Sequence, residues 1–235
     1  MKAEVLPDAE AVARRAAVVI AREARAAALA RGRFLLATSG GATPWRMLEL
    51  LAGEDVPWPL VQVFQVDERV AEASDPARNF TRLRTSLLDR VPISADQIHA
   101  MPVEETDLAA AAARYAATLR RFGGTPPILD LVHLGLGTDG HTASLVPGDP
   151  ALEDASSMVA VSGPYEGFRR MTLTYPVLER ARRILWVVTG SDKAAALSRM
   201  RAGDRSIPAG RVPSKYALLL ADAAAMASTR TERAR

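Results

Sequence analysis

The feature that most constrains this chain is an alternation of short apolar runs with longer stretches of helical periodicity. Strands are expected at Phe34–Thr38, Val61–Val66, Leu129–Leu134, Met158–Val161, Met171–Thr174, Ile184–Val188 and Tyr216–Leu220. Helices are expected at Asp8–Arg31, Pro44–Ala52, Asn79–Asp89, Leu108–Phe122, Pro176–Ala181 and Asp192–Met200. The first helix carries Val12, Ala16, Val19, Ile20 and Ala27 at three-to-four spacing, with Asp8 placed to cap its start and Gly32 its end. Alanine-rich stretches, Ala221–Ala227 among them, favour helix by propensity. A strand followed by a helix of this length is closed by a right-handed crossover to a parallel neighbour. Strands apolar on both faces need cover on both. The expectation is therefore an α/β fold over residues 1–235 as one domain: a doubly wound, mostly parallel sheet with helices on both faces. An antiparallel excursion is expected around Met158–Thr174.

Composition removes several function classes. There is no cysteine among the 235 residues, which excludes disulfides, thiolate metal sites and cysteine nucleophiles. The apolar run Ala16–Ala21 lies between Arg15 and Arg22, far short of the ~18 residues a membrane span needs. The N-terminus carries charge where a secretion signal has its apolar stretch, so a cytoplasmic protein with no membrane partner is expected. The net charge of +3 does not mark a nucleic-acid binder. Basic and acidic residues alternate along the helices, and five Phe, three Trp and four Tyr offer few base-stacking platforms. Only Lys2, Lys193 and Lys215 are lysines among thirty basic residues, so Lys193 attracts notice.

In a doubly wound sheet, ligands bind beyond the carboxyl ends of the strands, and the informative loops lie there. After the strand at Phe34 comes Ser39-Gly40-Gly41-Ala42-Thr43-Pro44. Two glycines admit close backbone approach, Thr43 is expected to cap the new helix, and Pro44 suits its first turn. The segment reads as a phosphate cradle or as an ordinary tight turn; it lacks the ending of a P-loop. After the strand at Val61 come Asp67, Glu68 and Arg69. Either they form a solvated ion pair, or Arg69 holds a substrate oxygen while the carboxylates fix it. Asn79 is placed to cap the following helix.

The loop Gly135-Leu136-Gly137-Thr138-Asp139-Gly140-His141-Thr142-Ala143-Ser144 is the sharpest. Its glycines match a dinucleotide fingerprint, but Pro147-Gly148 leaves no room for the helix that a nucleotide site requires. His133, inside a strand, reads as structural. His141 stands two residues after Asp139, an arrangement that can orient a neutral imidazole as a general base. Three histidines without ligand spacing argue against a metal, and no Gly-x-Ser-x-Gly elbow surrounds Ser144. Lys193, after Gly190 and Ser191 in a first helical turn, reaches a phosphate or lies on the surface.

The segments SGGATP, VDERV with Asn79, GLGTDGHTASLVPG, RMTLTYPVL and VVTGSDKAAAL, in this order from Ser39 to Leu197, resemble the 6-phosphogluconolactonase family. The resemblance implies a Rossmann-like fold shared with glucosamine-6-phosphate deaminases, and cofactor-free hydrolysis of a phosphorylated sugar lactone; the sequence leaves the oligomeric state open, a monomer included. It makes His141 the base that activates water and places Arg69 in the active site. Ser39, Gly40, Gly41, Thr43 and Lys193 would hold the phosphate, with Asp67 lining the site and Asp139 beside His141. The deaminases share the Gly-x-Gly-x-Asp-Gly-His loop but continue it with Phe-Asn-Glu-Pro; here Ser144-Leu145-Val146-Pro147 supplies no glutamate. Val146 and Arg78 depart from the lactonase pattern, as does the segment after Leu197. A non-catalytic sugar-phosphate sensor is the remaining alternative, without the DNA-binding module such proteins usually carry.

Overall fold

A computed structural model describes residues 1–227. In chain order the elements are β1 (Lys2–Leu6), α1 (Ala9–Arg31), β2 (Phe34–Thr38), α2 (Ala42–Leu51), β3 (Val61–Gln65), β4 (Asp67–Arg69), α3 (Asn79–Ser86), β5 (Ile98–His99), α4 (Leu108–Gly123), β6 (Leu131–Leu134), β7 (Val159–Tyr165), β8 (Phe168–Leu173), α5 (Tyr175–Leu178), β9 (Ile184–Val188), α6 (Ala194–Arg201), α7 (Pro208–Arg211) and β10 (Ala217–Asp222). Short 3₁₀ turns punctuate the loops. Seven strands form a parallel sheet in the order β1-β10-β9-β6-β2-β3-β5, and β4-β8-β7 form a small antiparallel sheet. The doubly wound plan and the antiparallel excursion both match expectation.

Alternation along the central strands explains the two layers of cover. Phe34, Leu36, Leu131, Leu185, Val187, Leu218 and Leu220 face α1 and α2, whereas Leu35, Ala37, Val132, Leu134, Trp186 and Leu219 face the layer containing α4 and α6. Each strand is thus buried on both faces, which is why it reads as a continuous apolar run. The α1 positions named from periodicity are all buried, Asp8 caps the helix by accepting from the Ala11 N–H, and Gly32 closes it in a left-handed conformation.

Besides β4 and the short α7, which were not expected as elements, three features depart from the sequence expectation. Strand β1 was not expected: its Lys2 and Glu4 are not core residues, and it exists through pairing with β10 at the sheet edge. The two-residue β5 likewise depends on β3. The Ala221–Ala227 stretch is not helical. Ala221 and Asp222 complete β10, and the chain then turns, with Asp222 accepting from the Ala225 N–H at 2.7 Å. Strand pairing on both sides of β10 overrides the helical preference of alanine. Among the described residues no helix is long and apolar enough to cross a membrane.

After β1 at one edge, the chain proceeds from β2 outward through β3 to β5, then returns to the other side of β2 with β6 and continues to β9 and to β10, which lies beside β1. The order reverses between β2 and β6, so their carboxyl ends splay apart and leave a crevice.

Candidate active site

A cavity of about 450 Å³ opens at that crevice. Ser39, Gly40, Gly41, Thr43, Asp67, Arg69, His141 and Lys193 all line it, and they come from the segments that follow four strands of the central sheet, β2, β3, β6 and β9. Asp139 stands directly behind His141.

The first wall is the entry to α2. Gly41, at φ +132°, is the residue before the helix and offers no side chain to its first N–H groups. Those donors face the cavity rim uncapped, which suits an anion. Gly40 is required by closeness: a Cβ there would lie 2.3 Å from Asn79 Oδ1. Thr43 is not the cap that sequence reasoning assigned. It lies within the helix, and its hydroxyl meets Thr189 Oγ1 at 2.7 Å, tying this loop to the one after β9. Lys193 sits beside that second loop, 3.3 Å from Asp192. Ser39 is held from below, its N–H donating to His133 Nδ1 at 3.3 Å and its hydroxyl to the His133 carbonyl at 3.2 Å.

The second wall is β4 and the start of α3. Glu68, fully buried, accepts from the N–H groups of Asn79 and Phe80 at 2.8 Å, from the Arg69 N–H at 2.7 Å and from Gln65 Nε2 at 2.8 Å. A carboxylate at the start of α3 satisfies donors the helix leaves free. Asn79 is therefore not the helix cap. Its side chain instead accepts from Arg69 Nη1 at 2.8 Å and donates to the Asp67 carbonyl at 3.1 Å. The Arg69 guanidinium is fixed by Asn79 and the Ala77 carbonyl, 2.8 Å away, and not by the neighbouring carboxylates as expected. Asp67 accepts from the Ser144 hydroxyl at 2.7 Å. Burial raises its pKa; the Ser144 bond and the arginines oppose that shift only in part. With its hydroxyl engaged there, Ser144 is not paired with His141 as a serine nucleophile would be.

The third wall is the loop after β6. Asp139 Oδ1 lies 2.7 Å from His141 Nδ1 and also accepts the His141 backbone N–H at 3.0 Å. Gly137 makes room for this pair, since a Cβ there would sit 2.0 Å from His141 Nδ1. Burial works to raise the Asp139 pKa, but the His141 backbone bond, the imidazole and Tyr165 together hold it below the usual value. The carboxylate stays ionised, fixes the Nδ1–H tautomer, and leaves Nε2 as the nitrogen free for chemistry. Val146, where a deaminase would carry glutamate, is buried and does not line the cavity.

Sequence reasoning expected the antiparallel β7–β8 hairpin but assigned none of its residues to the site. The hairpin brings Glu166 and Arg170 to the cavity and the Tyr165 hydroxyl to the His141–Asp139 pair. Arg170 is 4% exposed and donates to the Tyr165 carbonyl and to Glu166, with its Nε unpartnered. The only available signal was arginine at the head of the RMTLT strand, and alternation along an antiparallel pair does not tell which face meets a cavity built by other loops. Among the described residues no group of three His, Cys, Asp or Glu side chains could hold a metal ion.

An uncapped helix start and an aspartate-tethered imidazole meet at the switch point of a doubly wound sheet, the place where α/β proteins of this class bind small molecules. The comparisons specify the family. The model for glucosamine-6-phosphate isomerases/6-phosphogluconolactonase matches residues 7–220, and the chain belongs to that family. A 6-phosphogluconolactonase of Nostoc sp. is 39% identical over 230 residues, covering 94% of this chain and 95% of the relative. One of Synechocystis sp. is 37% identical over 203 residues, covering 85% and 84%. The structure of 6-phosphogluconolactonase from Trypanosoma cruzi superposes with a TM-score of 0.86 at 25% identity, covering 95% of each chain.

Proposed function

We propose that this chain is a carboxylic ester hydrolase that opens 6-phospho-D-glucono-1,5-lactone to 6-phosphogluconate, the hydrolytic step of the oxidative pentose phosphate pathway. The observation that carries the reading is the Nδ1-tethered imidazole of His141 in the same cavity as an uncapped helix start and Lys193. The lactonase relatives spanning nearly the whole chain support the substrate class.

The substrate phosphate rests on the Ser39–Thr43 segment and Lys193, which puts the lactone carbonyl between Arg69 and His141. His141 Nε2 takes a proton from water as the water oxygen bonds to the carbonyl carbon. Charge develops on the carbonyl oxygen, and the Arg69 guanidinium, already fixed by Asn79 and Ala77, stabilises it without reorganising. Collapse breaks the bond to the ring oxygen, which leaves with the proton from the imidazolium. Asp139 stabilises that imidazolium through Nδ1–H while remaining ionised itself.

The test is lactone generated in situ and followed to 6-phosphogluconate above spontaneous hydrolysis, with glucosamine 6-phosphate and ammonia release run in parallel. Accelerated lactone opening without ammonia release is expected. Ammonia release without lactone opening would overturn the reading in favour of a deaminase, and activity on neither would favour a sensor.

A further inference from the structure

Resting on His141 as the base, we propose that Tyr165 is a positioning residue that locks the His141–Asp139 pair and joins it to Arg170. The Tyr165 hydroxyl donates to Asp139 Oδ2 at 3.2 Å and lies 3.3 Å from His141 Nδ1, its ring edge-on to the imidazole at 5.2 Å. The two Asp139 oxygens are therefore divided, Oδ1 to His141 and Oδ2 to Tyr165. A carboxylate held at both oxygens cannot rotate, and the imidazole it holds keeps one plane. Asp139 needs this restraint, because its side chain is 34% exposed and is not held in place by burial. Burial and the Asp139 charge push the Tyr165 phenol upward, so it remains a protonated donor.

The other end of Tyr165 meets Arg170. The guanidinium carbon lies 5.0 Å from the ring centroid, and Nη2 donates to the Tyr165 carbonyl at 3.2 Å. The ring is thus clamped between a cation facing the cavity and the carboxylate behind the base. The turn that delivers it is tight: Glu166 and Gly167 adopt φ +49° and +83°, as a two-residue hairpin connection requires. No residue within the DGH loop itself restrains Asp139 Oδ2, so the fold recruits that contact from another sheet.

The experiment is Tyr165→Phe, made in the wild-type and the Asp139→Asn backgrounds, with kcat and KM measured for lactone hydrolysis. The change removes one oxygen from a half-buried hairpin residue. In the wild-type background kcat should fall about fivefold to tenfold, the range of one ordinary hydrogen bond, with KM changed less than about twofold. In the Asp139→Asn background the same change should cost less than about twofold, because the partner it acts through has lost its charge. An equal loss in both backgrounds, a loss confined to KM, or no loss would overturn the proposal. The His141 Nδ1–H proton resonance supplies a second readout: it should shift in Tyr165→Phe, and an unmoved resonance counts against the role. His141→Gln separates the two readings. If it is inactive while Tyr165→Phe is silent, only the Tyr165 proposal fails; if it keeps full turnover, the general base fails and the Tyr165 role with it.

Discussion

His133 and His141 stand eight residues apart on one strand–loop unit, and the structure gives them opposite surroundings. His133 lies within β6, fully buried, its Nδ1 facing Thr38 and the Ser39 N–H, with Nε2 unpartnered and no carboxylate among its hydrogen-bond partners. Burial alone pulls its pKa down to about 3, so it is a neutral strut under the Ser39 loop. The side chain of His141 is 23% exposed, faces the cavity and has Nδ1 tied to an ionised aspartate. The same side chain is a support in one place and, in the proposed reaction, a proton acceptor in the other. Access to water on one nitrogen and a fixed acceptor on the other make the difference.

The comparison breaks first at His141. His141→Gln should lower kcat by about 10³-fold, within the span that positioned general bases supply, while thermal stability stays close to wild type. A kcat loss below about tenfold would leave the two histidines equivalent. Lys193→Ala should act on binding and not on the base: KM should rise between about tenfold and hundredfold, as expected for a lost charged contact, with kcat changed little. A change in kcat alone would detach Lys193 from the anion cradle.

The smallest effect falls on His133 and reads as stability against pH. Its folded pKa lies below the unfolded value near 6.5, so below that pH the unfolded chain binds the extra proton. The contribution is intact above about pH 6.5 and is lost as pH falls toward the folded pKa near 3. His99, lowered to about 4 by burial and the nearby Arg121, adds in the same direction, so the wild type alone cannot isolate His133. Urea unfolding of wild type and His133→Gln between pH 7.5 and 5 isolates it. The variant should lose stability less steeply on acidification, by at most about 1.4 kcal/mol per pH unit. Parallel slopes would mean that His133 is hydrated in the folded state.

Much of this was fixed by the chain itself. Phe34–Thr38 and Ile184–Val188 are strands with the bounds their apolar runs suggest, and α1 buries the stripe its periodicity marks. Local signals decide such elements, because a strand covered on both faces or a helix covered on one must show that pattern in its own residues. The loops at strand ends were legible for the same reason: glycine beside charge is a local statement. Tertiary structure alone decided the rest. β1 and β5 exist because neighbours offer free edges, and the Ala221–Ala227 stretch yields to strand pairing. Glu68 turned out to cap α3 and Asn79 to hold Arg69, exchanging the roles their spacing suggested. Tyr165 and Arg170 reached the site from positions 24 or more residues along the chain from His141. No periodicity encodes that meeting, because it depends on how one sheet edge is placed against another's loops.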